Sequence, residues 1–299
     1  MANENENVLI YIAADSRSGS TLLDLLIGNH SEVVSIGELR RLHEHFNGNY
    51  ACTCDTLFNT CEFWNAVERR LNGSNQSIVS LQTLIPRSKS VFHDLAYFLP
   101  NFILQALSYG VPWLSRDIKI AENNLQVVDA VCEETQARYV VDSSKVFKFS
   151  RLYHLLRPKL CKTIFLIRDG RGVCYSRSKN GSSLKASANV WSLVQIKLFF
   201  LKLVFPKQNK LTVCYENLCR DPEKEMRRIC QFIGIQFEQN CVLLVKHGKH
   251  NICGNPMRFR TDETQIRLDE SWMSALTDEE KTKFRHSAAG IINWMLGYR

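Results

Sequence analysis

The feature of the sequence that most constrains the fold is an apolar run that leads directly into a Ser/Gly-rich turn. Val8–Ala14 reads VLIYIAA, and the polar residues Asp15–Ser20 follow it without a break. The next segment, Thr21–Asn29, has apolar side chains at helical spacing. A short continuous apolar run that ends in a turn is typical of a buried strand. The sequence therefore predicts a strand, a loop and a helix in direct succession.

Four further short apolar segments have the length and composition of buried strands. They are Val33–Ile36, Arg138–Val141, Thr163–Ile167 and Leu211–Cys214. Helical patterns separate them, and the amphipathic segment Asp221–Ile233 carries Pro222 at its first turn, where proline is favoured. Strands that alternate with helices predict an α/β fold, P-loop-like, with a mainly parallel sheet flanked by helices on both faces.

Residues 50–137 depart from this alternation, because their pattern is helical and irregular. We interpret them as a helical insertion in a single domain that spans residues 1–299. Two apolar segments, Leu95–Leu114 and Val190–Phe205, are predicted to be core helices, the first of them kinked at its prolines. Thr277–Leu296 is predicted to close the chain as one helix.

Composition and charge narrow the class of ligand. Of the 299 residues, 45% are hydrophobic and 23% are charged, which is ordinary for a globular protein. The formal net charge of +8 suits an anionic ligand or an acidic surface. Because no run of five or six basic residues occurs, nucleic acid is not the expected partner. The polar, acidic residues 1–7 lack the pattern of a signal peptide, so we expect a cytoplasmic protein without a membrane span.

The loop Ser16–Thr21 is a candidate phosphate site. Parallel α/β sheets bind ligands at the carboxyl ends of their strands, and backbone N–H groups before a helix form an anion cradle there. Gly19 allows close approach of the backbone to a phosphate, and Arg17 adds a permanent charge. The candidate binding residues of this loop are Ser16, Arg17, Ser18, Gly19, Ser20, Thr21 and Leu22. The Walker sequence G-x-x-x-x-G-K-[ST] is absent, which argues against an ATPase or a kinase.

Four segments in order resemble one enzyme family. The loop Ser16–Leu23, with Gly37-Glu38 about twenty residues on, resembles the 5′-phosphosulfate loop and acidic motif of the carbohydrate and tyrosylprotein sulfotransferases. Arg168 at a strand end, with Ser176 eight positions later, resembles their 3′-phosphate motif. The other two matching segments are Cys214–Leu218 and His250–Arg258, the latter similar to the donor-covering loop of the bacterial-type branch.

The resemblance implies a sulfotransferase that uses 3′-phosphoadenylyl sulfate as sulfuryl donor and needs no metal. The acceptor would be a hydroxyl group of a carbohydrate, glycolipid or small molecule, bound on the side of the 50–137 insertion. Peripheral contact with a membrane stays open, since the two long apolar segments could instead line a lipid pocket. The alternatives are a P-loop-type nucleotide kinase and a non-catalytic nucleotide-binding protein of the same fold.

Residue roles follow from the same resemblance. Glu38 is the expected general base, and some burial would be needed to raise its pKa toward working pH. Arg17 is expected at the 5′-phosphate and Lys145 at the sulfuryl or leaving oxygen, although Ser143 could take the place of Lys145. Arg168 and Ser176 are expected to bind the 3′-phosphate. Structural alternatives remain for two of these side chains: a helix-terminal acid for Glu38 and a salt bridge, for instance to Asp169, for Arg168.

Two tyrosine and arginine assignments are less constrained. Tyr215 is expected to contact the donor or to pack at the edge of the core. Arg258 and Arg260 are expected to close over the nucleotide, or else to be solvated loop side chains.

Eleven cysteines are expected to be mostly reduced and buried. Cys52, Cys54 and Cys61 form a C-x-C-x₆-C pattern that resembles a Cys-rich segment of bacterial-type sulfotransferases. It could bind zinc with His43 or His45, form a disulfide, or simply pack. We assign no metal ligand from the sequence.

Overall fold

The computed structural model describes residues 7–73, 77–86, 91–244, 249–259 and 265–298. Within these ranges one sheet of five strands is present, and every pair of neighbouring strands is parallel. The strands are β1 (Val8–Ala14), β2 (Val33–Gly37), β3 (Tyr139–Asp142), β4 (Cys161–Ile167) and β5 (Lys210–Cys214). Their order across the sheet is β2-β3-β1-β4-β5. The predicted parallel α/β sheet is thus confirmed.

The described residues form fourteen α-helices. They are α1 (Ser20–Ile27), α2 (Leu42–Asn47), α3 (Glu62–Gly73), α4 (Val91–Ala96), α5 (Asn101–Ser108), α6 (Pro112–Thr135), α7 (Phe147–Leu156), α8 (Gly170–Ser178), α9 (Leu184–Val204), α10 (Tyr215–Arg220), α11 (Pro222–Ile233), α12 (Trp272–Ala275), α13 (Asp278–Arg285) and α14 (Ala288–Met295).

The strand β1 lies at the centre of the sheet, between β3 and β4, and all seven of its residues are buried. Successive side chains of a strand point to opposite faces of a sheet. Leu9 and Tyr11 accordingly join one apolar cluster, which includes side chains of α3, α6 and α7. Ile10 and Ile12 join a second cluster, with side chains of α1 and α11. Burial on both faces explains why β1 reads as a continuous apolar run.

The predicted single helix over Leu95–Leu114 is wrong. The chain forms α4, α5 and the start of α6 instead, with the breaks at Pro100 and Pro112. Proline removes a hydrogen bond from a helix interior but is tolerated at a helix start. Pro100 accordingly lies directly before α5, and Pro112 is the first residue of α6. The segment is also partly exposed, because Phe102 and Tyr109 keep 73% and 85% of their surface accessible.

The helix α9 is only half a core helix. Trp191, Leu198 and Leu201 are buried, whereas the opposite side exposes six large apolar residues. These are Val190, Leu193, Ile196, Phe199, Phe200 and Leu203. Among the described residues, α9 is the one helix long and apolar enough to cross a membrane, judged by length and composition. A helix packed on a protein core can have the same length and composition as a membrane span.

The carboxyl-terminal segment contains two helices, so the prediction of one helix over Thr277–Leu296 is wrong. The helix α13 ends at Arg285, and α14 begins after Ser287. The Ser287 hydroxyl accepts a hydrogen bond from the Gly290 amide and caps α14. A serine cap competes with helix continuation, which explains the break.

Candidate active site

A cleft of about 420 Å³ opens at the carboxyl edge of the sheet. Every strand ends beside it, because the segment that follows each strand contributes to its lining. In strand order from β1 to β5, those segments supply Ser16–Leu22, Glu38, Lys145, Arg168 and Tyr215. Ser176 also lines the cleft, from the last turn of α8. Of the predicted site residues, only Ser18 and Arg258 are not part of the lining.

The loop between β1 and α1 has the strained backbone of a tight anion cradle. Arg17 and Gly19 both have positive φ angles, of 70° and 89°. A Cβ atom on Gly19 would lie 2.4 Å from Cδ2 of the Tyr215 ring, so only glycine fits beneath this ring. Gly19 precedes α1, whose first amide N–H groups have no partner within the helix. The side chain of Ser18, in the same loop, is fully buried and does not line the cleft.

A second group of cationic and hydroxyl side chains lies next to this loop. Arg168 donates to the carbonyl of Arg17 at 3.0 Å and lies over the Tyr215 ring, 4.3 Å from its centroid. Arg17 donates from Nε to Oγ of Ser176 at 2.9 Å. The predicted 5′-phosphate and 3′-phosphate residues are therefore neighbours in one cleft.

Arg168 also forms an ion pair, as the structural alternative anticipated, although with a different carboxylate. Its Nη2 atom lies 3.1 Å from Oδ2 of Asp269, an exposed residue at the rim of the cleft. Asp169 pairs with Arg171 instead. The carboxylate on Arg168 comes from solvent-exposed chain, so an incoming anion can displace it without leaving a buried charge unpaired.

Glu38 lies between two cations. Its Oε1 atom is 2.6 Å from Nζ of Lys145, and its Oε2 atom is 2.9 Å from Nη2 of Arg40. Burial is the strongest single influence on the pKa of Glu38 and raises it, but Lys145 and Arg40 together outweigh burial and lower the pKa. The burial that a general base would need is thus present, but the two positive neighbours reverse its effect on the pKa of Glu38.

Backbone geometry brings Lys145, rather than Ser143, to Glu38. Ser143 is buried and donates its amide N–H to the carbonyl of Gly37, which continues the pairing of β2 with β3. Lys145 follows two residues later with a φ of 68°, and this turn directs its side chain into the cleft. Ser143 therefore does not line the cleft, whereas Lys145 does.

Several lining residues were missed by the sequence analysis. They are Arg40, Cys253, Gly254, Asn255, Gln265, Arg267 and Asp269, together with four apolar or proline residues of the same loops. Arg40 lies two positions after Glu38 and could have been noticed as its partner. Gly254 and Asn255 belong to the segment that resembles a donor-covering loop, and the Asn255 amide donates to Oγ1 of Thr21 at 3.1 Å.

Arg258 has a different position from the expected one. It is buried beneath this loop, where its guanidinium donates to the carbonyls of Asn251 and Cys253. It therefore stabilises the loop, while the exposed side chain of Arg267 faces the cleft. Arg260 lies outside the described residues.

A smaller cavity of about 260 Å³ adjoins the cleft and shares Ser16, Arg40 and Lys145 with it. Its other walls come from the end of β1, with Ala14 and the buried carboxylate of Asp15, from Ser144, and from the α7 and α9 regions. They include Val146, Phe147, Val194, Lys197 and Leu198. No described residue of 50–137 lines it, although Asp94 forms an ion pair with Lys197 at 2.6 Å from just outside the wall.

Comparison with known proteins identifies the family. The model of the sulfotransferase family matches residues 10–239. A search of curated protein sequences found no match. Two solved structures share the fold: the sulfotransferase domain of the Synechococcus PCC 7002 olefin synthase (TM-score 0.53, 18% identity, 100% of this chain and 98% of that one) and the sulfotransferase domain from the curacin biosynthetic pathway (TM-score 0.53, 15% identity, 98% of each chain).

The family match covers β1 from Ile10 onward and the other four strands in full. Of the segments that form the cleft, it leaves out only Leu244, the loop 249–259 and residues 265–269. It confirms the resemblance drawn from the four motifs and leaves the kinase alternative without support. The chain therefore belongs to the sulfotransferase family and is a sulfotransferase enzyme.

Proposed function

We propose that this enzyme transfers the sulfuryl group of 3′-phosphoadenylyl sulfate to an acceptor hydroxyl. The observation that carries the proposal is that the loop between β1 and α1 lies beside Arg168 and Ser176 in one cleft, so that two adjacent groups of cationic and hydroxyl side chains are available to anions. A donor with a 5′-phosphosulfate and a 3′-phosphate requires two such sites. Arginine suits both, because its planar fork of N–H donors matches phosphate geometry.

Arg17 belongs to both sites, since it follows β1 in the phosphate loop and also donates to Ser176. On donor binding, its guanidinium would neutralise charge near the bridging oxygen while Ser176 turns its hydroxyl to the 3′-phosphate. Arg168 would exchange the exposed carboxylate of Asp269 for the same phosphate. Charge-assisted hydrogen bonds of this kind are about twice as strong as neutral ones.

In-line displacement at sulfur spreads negative charge over the sulfuryl oxygens and the leaving phosphate. Positioned cations in a partly desolvated cleft stabilise such charge. Lys145 lies 2.6 Å from Glu38, lines the same cleft as the loop and is mostly buried. We propose that Lys145 leaves Glu38 when the donor binds and pairs with the transferred group.

The same exchange would prepare Glu38 as a general base. In the unliganded site its lowered pKa keeps the carboxylate ionised but weakly basic. When Lys145 moves to the donor, one of the two neighbours that lower the pKa of Glu38 is lost, and burial raises the pKa toward the range where proton abstraction from a hydroxyl is effective. Arg40 remains to orient the carboxylate.

The acceptor would enter through the smaller cavity beside Arg40 and Lys145. Its walls combine apolar side chains, among them Phe147 and Leu198, with the ammonium of Lys197. This lining supports an acceptor that has an apolar part next to its reactive hydroxyl, as in a glycolipid or an apolar small molecule. The insertion 50–137 would act only at the rim, through Asp94.

The proposal is tested by screening acceptors with labelled 3′-phosphoadenylyl sulfate and comparing the wild type with Glu38→Gln. The variant keeps the size of the side chain but replaces one of the two acceptor oxygens with an NH2 group, and it cannot accept the proton. We expect kcat to fall about 10²–10⁴-fold, the usual contribution of a general base, with little change in nucleotide affinity. A Glu38→Gln enzyme that transfers sulfate at the wild-type rate would exclude Glu38 as the base.

A further inference from the structure

The structure assembles three cysteines and one histidine from distant parts of the chain. Cys52, Cys54 and Cys61 come from the segment before α3, and His250 comes from the loop 249–259, which lines the donor cleft. Their ligand atoms all lie within 4.8 Å of one another. Among the described residues, this is the only group of three or more potential metal ligands that meets this criterion.

The spacing of the ligand atoms fits tetrahedral coordination. Zinc bonds of about 2.3 Å to sulfur and about 2.1 Å to nitrogen place neighbouring ligand atoms roughly 3.5–3.8 Å apart. The Sγ atoms of Cys54 and Cys61 are 3.5 Å apart, and Nδ1 of His250 lies 3.7 Å from Sγ of Cys52 and 3.2 Å from Sγ of Cys61. Small shifts would therefore suffice to bind an ion at the centre.

The backbone holds the three thiols in place without the ion. Ala51 and Leu57 form an antiparallel bridge, and a turn between them, with Asp55 at a φ of 64°, presents Cys52 and Cys54 on one side. Cys61 lies directly before α3 and accepts a hydrogen bond from the Asn65 amide through its carbonyl. A position at a helix amino terminus favours the thiolate form that a metal ligand requires.

His250 is held equally well. Its ring stacks on Phe63, with centroids 4.5 Å apart, and its carbonyl accepts from Nε1 of Trp64 at 2.9 Å. The neighbouring Thr53 donates to the carbonyl of Lys249 and accepts from the Asn251 amide. These contacts fix the imidazole against the cysteine turn. His43 and His45, suggested from the sequence, bond elsewhere on α2 and beyond it, so neither belongs to this group.

We propose that Cys52, Cys54, Cys61 and His250 bind one structural zinc ion. A closed set of three thiolates and one imidazole suits zinc and leaves no position for a substrate, so the ion takes no part in sulfuryl transfer. Binding releases the thiol protons to solvent. No metal ligand was assigned from the sequence, because His250 is 189 positions from Cys61. Only the fold brings its imidazole next to the three cysteines.

The ion would hold the donor loop on the sheet. Two residues after His250, Ile252 exchanges backbone hydrogen bonds with β2, accepting from the Glu38 amide at 2.8 Å and donating to the Ile36 carbonyl at 2.8 Å. Gly254 and Asn255 then reach the cleft beside Thr21. Zinc at His250 thus fixes one end of the segment that touches both Glu38 and the phosphate loop. This role rests on the proposed function, whereas zinc binding itself does not.

The test is metal analysis of the full chain, purified under reducing conditions without chelator. We expect about one zinc per wild-type chain, and much less in Cys54→Ala and His250→Ala. Cys132→Ala, which removes a buried thiol on α6, is the matched control and should retain the metal. Wild-type protein without zinc, or with a disulfide between Cys54 and Cys61, would overturn the proposal.

Cobalt substitution covers the case in which the variants do not fold. Wild-type protein stripped of metal and titrated with Co²⁺ should show the intense visible bands of tetrahedral cobalt and a thiolate-to-cobalt charge-transfer band. Absence of these bands would contradict the four-ligand site directly.

A second measurement separates the ion from the proposed function. We expect removal of zinc to weaken binding of 3′-phosphoadenosine 5′-phosphate about three- to tenfold, the cost of ordering a few loop side chains. Zinc-bound protein that binds no such nucleotide would refute the function and leave the zinc site standing. Zinc-free protein that binds it as tightly as zinc-bound protein would refute the tethering role.

Discussion

Glu38 has two cationic neighbours, and their distances decide when it can accept a proton. Lys145 and Arg40 both lie within hydrogen-bond distance, and both lower the pKa of a carboxylate that burial alone would raise. Removing either cation therefore shifts the ionisation of Glu38 toward higher pH.

Arg40→Met is expected to move the acid limb of the pH profile of kcat/KM upward. This limb reports ionisations of the free enzyme, in which Arg40 lowers the pKa of Glu38. Without the guanidinium, protonation of Glu38 begins at higher pH, so activity is lost earlier on acidification. Arg70→Met, which breaks a surface pair with Glu134 on distant helices, is the control. An acid limb that does not move in Arg40→Met would refute this account of the site electrostatics.

Residues whose position depends mainly on the nearby backbone could be predicted from the local sequence. Gly19 was predicted as the residue that lets the backbone approach a phosphate closely, and its positive φ and the ring of Tyr215 leave no room for a side chain there. Arg168 was predicted from its place after a strand. Arg40 and His250 were not predicted as partners of Glu38 and of the cysteines, because side-chain direction and long-range contacts decide those pairings.

At the scale of elements, the loop 249–259 behaves as an additional edge of the sheet. Ile252 pairs in parallel with Gly37 at the end of β2. Gly37 has a φ of 75°, and a Cβ atom there would lie 2.3 Å from the carbonyl oxygen of Ile252. Only glycine permits this approach, and Glu38 follows immediately.

Gly37→Ala is expected to separate the loop from β2. The positive φ alone costs a non-glycine residue about 1–2 kcal/mol, and the clash adds to this. We expect a lower free energy of unfolding in urea and weaker binding of 3′-phosphoadenosine 5′-phosphate. Gly110→Ala is the control, since a Cβ there meets no atom within 4 Å. If both variants behave alike, the close approach of the loop is not important for the site.

Element boundaries were predicted well for strands and less well for helices. The apolar runs of β1 and β4 have sharp polar ends, so their limits are visible in the sequence. The division of Leu95–Leu114 was missed because its apolar content favoured one buried helix, although Pro100 and Pro112 mark the breaks. The break before α14 depends on a Ser287 cap, a weak signal inside an otherwise helical pattern.

At the scale of the whole molecule, buried carboxyl groups link stability to pH. Asp24 is a buried residue of α1. Its carboxylate accepts hydrogen bonds from Ser35 of β2 and from Asn251 of the loop 249–259. Burial raises the pKa of Asp24 to about 7, against the smaller influence of its hydrogen bonds. The native state therefore holds this proton more tightly than the unfolded chain does.

The sign of the effect follows from linkage. The stabilisation is fully present below the unfolded pKa of Asp24, near 4, and is lost as the pH rises through about 7. Asp24→Asn cannot titrate, so the wild type should lose free energy of unfolding relative to this variant between pH 4 and 7. One pKa unit corresponds to about 1.4 kcal/mol, so the relative change is on the order of 1–4 kcal/mol. Urea unfolding at about pH 5 and pH 7.5 measures it.

The fully exposed Asp278 provides the control, because Asp278→Asn should leave the pH dependence of stability unchanged. A pH-independent difference between the wild type and Asp24→Asn would show that Asp24 is not protonated in the native state.

The overall class of the molecule was predictable, whereas its strand order was not. Alternating apolar segments indicated a parallel sheet, but the order β2-β3-β1-β4-β5 brings β3 next to β1 across more than a hundred residues. Residues 50–137 were predicted from their helical pattern to be an insertion. The packing of their helices against one face of the sheet depends on long-range contacts that composition does not specify.

We propose that one cleft binds two phosphate groups of the same nucleotide. Calorimetric titration of 3′-phosphoadenosine 5′-phosphate into the wild type and Arg168→Met tests it, with ADP as the ligand that lacks a 3′-phosphate. Arg220→Met, which breaks an exposed pair with Glu270, is the matched control.

We expect the wild type to bind the 3′-phosphorylated nucleotide about 10–100-fold more tightly than ADP, the contribution of hydrogen bonds to a charged group. Arg168→Met should lose most of this preference, and Arg220→Met should keep it. Equal affinity of the wild type for both nucleotides, or no binding of either, would contradict the two-phosphate cleft.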